Sequence, residues 1–228
     1  MSNIVYLSLS LDKRSSLDNF ELVNNIFEEM REYFPLVVET PQEWAEVAIA
    51  DFDAFVLDHA ACERKAAATC MSFVGAYPDR PELCDVMITV AREEMEHFHQ
   101  VFRLARNRGL TLKSDHKDEY VNQLLRAVRN SPEGRFMDRL LVAGLVEARS
   151  CERLGLVGEA LLRSEDSQKR ELGAYYSELA VAEARHFGLF TKFAEKYCGV
   201  SESRARLAEL IKIETEIVKK LPWRPAVH

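Results

Sequence analysis

A chain of 228 residues, 47% hydrophobic and 29% charged, has the balance of a folded globular protein, long enough for one large domain or two small ones. Its formal net charge of −7 argues against a protein that coats nucleic acid over its whole surface, while leaving room for a local basic patch. No run of about eighteen apolar residues predicts a membrane span, and the N-terminus, MSNIVYLSLSLDKRSSLDNF, lacks the basic segment and unbroken apolar stretch of a signal peptide.

Residues 1–16 read as a strand-like or irregular arm, and a first helix is predicted over about 17–33, ended by Phe34-Pro35. Thr40-Pro41 has the form of an N-cap followed by proline at the first helical position. Two helical segments are expected through 41–77, with a change of direction near Asp51. Val56, Ala60, Glu63, Ala67, Cys70 and Val74 step by three and four along that region and form one face. Tyr77-Pro78-Asp79-Arg80-Pro81 closes it as a turn. The next helix, about 81–107, carries Met87, Val90, Ala91, Glu94, His97, Phe98 and Val101 on one face, and Gly109 stops it.

A connecting helix at about 117–130 leads to Ser131-Pro132, a second cap-then-proline start. The helix at about 132–163 presents Leu140, Ala143, Gly144, Glu147, Cys151 and Leu154 together. After a polar turn at 164–167, the helix at about 168–197 presents Tyr176, Leu179, Ala180, Glu183, His186, Phe187 and Phe190. A last helix, about 201–220, precedes a Pro222-Trp223-Arg224-Pro225 tail. The expectation is one all-α domain over 1–228, with a core four-helix bundle at about 41–197 and flanking helices appended at both ends.

The chemistry lies in two Glu-x-x-His pairs, Glu94/His97 and Glu183/His186, each following a lone glutamate at hairpin distance: Glu63, 31 positions before Glu94, and Glu147, 36 before Glu183. Residues three apart share a helical face, so a glutamate and a histidine so placed grip one ion. The midpoint of Glu63 and Glu94 falls at Pro78-Asp79, so an antiparallel hairpin brings both to one depth, roughly 22 Å from the turn. Four helices carrying these six side chains inward supply four carboxylates and two imidazoles. That is the ligand set of a carboxylate-bridged di-iron or di-manganese centre in a four-helix bundle. Hard oxygens with imidazole nitrogens suit iron or manganese, and the absence of thiolate pairs argues against structural zinc.

A single Glu-x-x-His is weak evidence, and a third copy, Glu96/His99, shares its face with charged Arg92, Glu93 and Arg103 and reads as solvated surface. The bland alternative for the other two is buried ion pairing with Arg64, Arg149 or Arg185. Glu152 competes with Glu147 as the third-helix ligand, since it stands 31 positions before Glu183. The face decides for Glu147, whose neighbours are apolar, and leaves Glu152 as a partner of an arginine. His59, one turn before Glu63, reads as a hydrogen-bonded core histidine or as a residue orienting a ligand. Of the five cysteines, Cys62, Cys70, Cys84, Cys151 and Cys198, none forms a Cys-x-x-Cys pair. The odd count fits a reducing cytosol and hence a cytoplasmic protein, with Cys62 and Cys151 read as small buried apolar residues. Small residues beside the ligands (Ala60, Ala67, Ala91, Ala143, Gly144, Ala180) serve close helix packing or leave space for oxygen and substrate.

Four strings are more specific than a generic di-iron pattern: Cys62-Glu63-Arg64-Lys65-Ala66-Ala67, Glu93-Glu94-Met95-Glu96-His97-Phe98, Glu147-Ala148-Arg149-Ser150-Cys151-Glu152-Arg153 and Glu183-Ala184-Arg185-His186-Phe187. Over about residues 40–200 the chain resembles the MiaE-type tRNA hydroxylases, ferritin-like non-haem di-iron enzymes. These hydroxylate the isopentenyl group of 2-methylthio-N6-isopentenyladenosine next to the anticodon of bacterial tRNA. The resemblance implies iron ligation by Glu63, Glu94, His97, Glu147, Glu183 and His186, with two iron ions, dioxygen as co-substrate and tRNA as partner. Electrons then come from an external donor, a redox partner protein such as a ferredoxin or reductase, because the chain shows no flavin, nucleotide or iron–sulfur motif. Arg103, Arg106, Arg108, Lys113, Lys192 and Lys196 are the candidate phosphate contacts. Competing functions for the same ligand set are ferritin-like iron oxidation and storage, a peroxidase or catalase, an oxygenase acting on another small substrate, and a non-catalytic scaffold.

Overall fold

The structure is a computed structural model that describes residues 35–115 and 117–228. The predicted N-terminal arm and the helix at 17–33 lie outside the described residues. Seven helices are formed within them, in the order α1 (Gln42–Ala50), α2 (Phe52–Ala76), α3 (Pro81–Asn107), α4 (Glu119–Arg126), α5 (Pro132–Leu162), α6 (Ser167–Cys198) and α7 (Val200–Lys220). No strand occurs among the described residues, and none of the helices is long and apolar enough to cross a membrane.

Local chemistry sets most of the boundaries. Asp51, at φ −124° and ψ 63°, breaks α1 from α2, and its carboxylate accepts from the Ala54 amide to cap the new helix. Pro81 and Pro132 open α3 and α5 at positions where an amide hydrogen would have no helical partner. Gly199, at φ 93°, lets α6 turn directly into α7. The start of α1 differs from the expectation. Pro41 is itself the cap, because Thr40 spends its amide (2.8 Å) and its hydroxyl (2.6 Å) on the buried carboxylate of Glu152. The connecting helix is also shorter than 117–130. The Arg129 amide donates to Asp138 at 2.9 Å instead of continuing α4.

Helices α2 and α3 form one antiparallel hairpin and α5 and α6 the other, and α5 is buried along most of its length. At the turn end of the second hairpin the backbones nearly touch: a Cβ on Gly173 would lie 2.8 Å from the Gly158 carbonyl oxygen, so only glycine fits. Apolar packing is concentrated at the two ends of the bundle. Phe73, Leu83, Met87, Leu124, Phe136, Leu140 and Phe190 pack at one end, and Trp44, Phe55, Leu154, Val157, Tyr176 and Leu179 at the other. The predicted ligands occupy the level between these two clusters. Beyond α7 the chain folds back, and the Val227 amide donates to Asp58 on α2 (2.8 Å) while its carbonyl accepts from Arg153 on α5 (3.0 Å).

Candidate metal centre

The two hairpins bring all six predicted residues to one place. Glu63 comes from α2, Glu94 and His97 from α3, Glu147 from α5, and Glu183 and His186 from α6. Their ligand atoms form two overlapping quartets, Glu63–Glu94–His97–Glu183 and Glu94–Glu147–Glu183–His186, each with its atoms within 4.8 Å of one another. Glu94 and Glu183 belong to both. The Nδ1 atom of His97 lies 3.4 Å from Glu183 Oε1, 3.6 Å from Glu63 Oε2 and 3.7 Å from Glu94 Oε2. The Nδ1 atom of His186 lies 2.7 Å from Glu94 Oε1 and 3.1 Å from Glu183 Oε2.

Of these contacts only the one between His186 Nδ1 and Glu183 Oε2 has hydrogen-bonding geometry. Both oxygens of Glu94, Oε1 of Glu183 and Nδ1 of His97 are buried yet have no partner in hydrogen-bonding geometry. Buried polar atoms left this way cost several kcal/mol in total, about 1–3 kcal/mol each. Ligand atoms gathered within 4.8 Å of one another, several of them without a hydrogen-bond partner, suit cations between them.

Charge tells the same story. Burial and the neighbouring carboxylates of Glu183 and Glu94 push the Glu147 carboxyl well up, and burial with Glu183 pushes Glu94 up to about 7 despite the two imidazoles. Burial also opposes ionisation of Glu183 and Glu63, but imidazoles outweigh it and hold both below the usual range: His186 and His97 for Glu183, His59 and His97 for Glu63. Burial alone would discharge the imidazoles. Surrounding carboxylates instead raise His186 and push His97 up to about 12. The cluster demands positive charge, and two divalent cations against four carboxylates would neutralise it with both imidazoles uncharged.

Arginines do not meet that demand. Arg64 pairs with Asp115 at the surface, and Arg185 is exposed. Arg149 is fully buried and engaged by Glu152 (2.5 Å) and Glu214 (2.6 Å). Glu152 thus stands outside the cluster, as a partner of arginine, while Glu147 stands in it. Glu96 and His99 are exposed. His59 is buried and lies 2.6 Å from Glu63 Oε1, where it orients that carboxylate.

Two sequence expectations need correction. Glu93, read as part of a solvated face, places its Oε2 atom 3.0 Å from His186 Nε2, on the side of the ring away from the cluster. The signal was the histidine itself, since a ligating imidazole needs a partner for its other nitrogen. Cys62 is not an apolar filler: its sulfur lies 3.7 Å from Asp58 Oδ2 and 3.8 Å from His228 Nδ1.

The candidate phosphate contacts also fail to form one patch. Lys196 pairs with Glu82 at the start of α3, whereas Arg103, Arg106 and Arg108 sit near its end, about 36 Å away along the axis. Arg108 is tied to Asp53 at 2.6 Å. Arg103, Arg106, Lys113 and Lys192 are exposed. Of the clustered residues other than Glu147, His97 has the most exposed side chain, at 13% against 5% for Glu63 and 1–2% for Glu94, Glu183 and His186.

Residues 25–228 match the family model described as tRNA-(MS[2]IO[6]A)-hydroxylase (MiaE), extending the likeness on both sides of the 40–200 region. The chain is 38% identical over 181 residues to a tRNA 2-(methylsulfanyl)-N(6)-isopentenyladenosine(37) hydroxylase of Pseudomonas putida, covering 79% of this chain and 84% of the relative. A protein of the same description from Salmonella typhimurium is 26% identical over 137 residues, 60% of this chain and 48% of its own. Among solved structures, a Synechococcus protein described as having aldehyde deformylating oxygenase activity superposes with a TM-score of 0.75 at 38% identity, covering 83% of this chain and 92% of that one.

Proposed function

Because this chain belongs to the MiaE family of tRNA hydroxylases, we propose that it is a non-haem di-iron monooxygenase that hydroxylates the isopentenyl group of 2-methylthio-N6-isopentenyladenosine in tRNA. The observation that carries the proposal is the pair of overlapping quartets sharing Glu94 and Glu183. Two shared carboxylates, with one further glutamate and one histidine in each quartet, would suit iron in composition and charge.

In this account Glu94 and Glu183, common to both quartets, would help to hold both ions, Glu63 and His97 one of them, and Glu147 and His186 the other. Glu93 and His59 hold a ligand each in orientation from outside. When bound and reduced, the iron pair supplies the activation of dioxygen. The balance requires two electrons and two protons: one oxygen atom enters the C–H bond and the other leaves as water. An external donor provides the electrons. The apolar clusters at both bundle ends exclude water from the ligands, which protects the reactive step from side reactions. Exposed cations such as Arg103 and Arg106 hold tRNA phosphates, so binding weakens with salt.

The test is nucleoside analysis of tRNA from a strain lacking the gene, complemented with wild type or with Glu183→Ala. Wild type restores the oxygen-bearing nucleoside and the variant does not. A second reading, an oxygenase of another small substrate, is favoured by the likeness to the Synechococcus protein. Unchanged tRNA together with turnover of an aldehyde by the iron-loaded protein would select it.

A further inference from the structure

A second group of ligand atoms lies apart from the six. Cys62 is on α2, Asp118 is the N-cap of α4, and His228 follows α7. The Nδ1 atom of His228 lies 3.0 Å from Asp118 Oδ2 and 3.8 Å from Cys62 Sγ. The His228 side chain is 4% exposed, its ring stacks on Tyr120 with centroids 5.2 Å apart, and Nε2 lies 2.9 Å from Ser150 Oγ. The preceding residue is pinned through both its amide and its carbonyl, to Asp58 and Arg153. The ring is therefore held from several directions, with Nδ1 turned toward a sulfur and a carboxylate.

One nitrogen cannot serve both neighbours through hydrogen bonds. If Nδ1 carries a proton it donates to Asp118, and the thiol is left to the Asp58 carboxylate 3.7 Å away, whose Oδ2 already accepts from the Val227 amide. If it carries a lone pair it faces the carboxylate oxygen with no hydrogen between them. A cation placed among the three atoms satisfies all of them. Tetrahedral angles with zinc bond lengths of about 2.0–2.3 Å put ligand sulfur and nitrogen about 3.6 Å apart and nitrogen and oxygen about 3.3 Å apart. The distances of 3.8 Å and 3.0 Å fall close to these. Ser150 on Nε2 is the outer partner that commits Nδ1 to the ion.

We propose that Cys62, Asp118 and His228 form a second, mononuclear site for a borderline divalent cation such as zinc, with a fourth position left for water. Thiolate and imidazole distinguish it from the sulfur-free set around Glu94, and select a softer ion than that set does. The site clips the segment after α7 to α2 and to the start of α4. It stands independently of the function proposed above.

Cobalt(II) is the probe, titrated into full-length protein after chelation. Only a thiolate ligand gives a sulfur-to-cobalt charge-transfer band, so the carboxylate–imidazole centre is silent in this signal. The expected result is a band that saturates at about one cobalt per chain, disappears in Cys62→Ser and persists in Cys70→Ser. Affinity read from the band falls at least about tenfold in Asp118→Asn and in His228→Gln, with helical content checked by circular dichroism. A wild-type titration that loads the carboxylate centre without any sulfur band overturns the proposal and needs no variant. So does a band that survives Cys62→Ser. Loss of tRNA hydroxylation leaves the band unaffected, which separates failure of the two proposals.

Discussion

Glu147 and Glu152 share α5 but belong to different chemical surroundings. The first gathers with Glu94, Glu183 and His186, while the second accepts from Arg149 at 2.5 Å and from the Thr40 amide and hydroxyl. Both are buried, at 6% and 2% exposure, so burial does not distinguish them. Their partners do: one lies where carboxylates outnumber the imidazoles beside them, the other is already neutralised.

Exchanging each for glutamine separates the roles. Glu147→Gln is expected to lose iron while its urea midpoint changes little in metal-free protein. Glu152→Gln is expected to keep iron and to lose stability on the order of 2 kcal/mol, because charged hydrogen bonds from Arg149 and Thr40 weaken while Glu214 still holds the arginine. Metal analysis and urea unfolding of the two proteins check this. Iron lost from Glu152→Gln alone would reverse the assignment.

Glu93 is expected to tune the centre without being part of it. Removing its carboxylate in Glu93→Ala frees His186 Nε2, and iron affinity should fall about 10- to 100-fold while saturating iron still fills the site. Glu96→Ala, three residues on and exposed, should bind iron as wild type does. Competition with a chelator measures both. Equal affinities in the two variants would remove Glu93 from the account.

Asp138 is one source of acid-sensitive stability away from the site. Burial raises its carboxyl, but hydrogen bonds from Arg129 and Arg206 outweigh burial, and the net shift is downward. A depressed folded value contributes stability that is complete above the unfolded value of about 3.9 and is lost as pH falls through the folded one. Asp138→Asn is therefore expected to cost roughly 2–3 kcal/mol at neutral pH and to approach wild type in acid. Urea midpoints between neutral pH and about pH 3 test it. A variant that differs equally from wild type at every pH would contradict it.

The bundle was legible in the sequence where a residue acts through its own backbone. Pro81 and Pro132 open helices because their missing amide hydrogen is harmless there, and Asp51 breaks one because its carboxylate caps the next. The six clustered residues were legible for a similar reason: spacing of three fixes a shared face, and the midpoint of each hairpin fixes depth. Contacts between elements of unknown register were not legible. Glu93 meets His186 across α3 and α6, and His228 meets Asp118 and Cys62 from 110 and 166 residues away. Thr40 went astray for want of the same knowledge, since nothing local announces that Glu152 will claim it.

The most direct test of the central claim is conversion of hypomodified tRNA by iron-loaded protein under isotopically labelled dioxygen with a chemical electron donor. The account predicts about two irons per chain. It also predicts that the isopentenyl-adenosine nucleoside gains a single oxygen atom carrying the label, and that His97→Ala and Glu183→Ala form none. Unaltered nucleoside from fully iron-loaded, reducible enzyme, or a product whose oxygen comes from water, would contradict it.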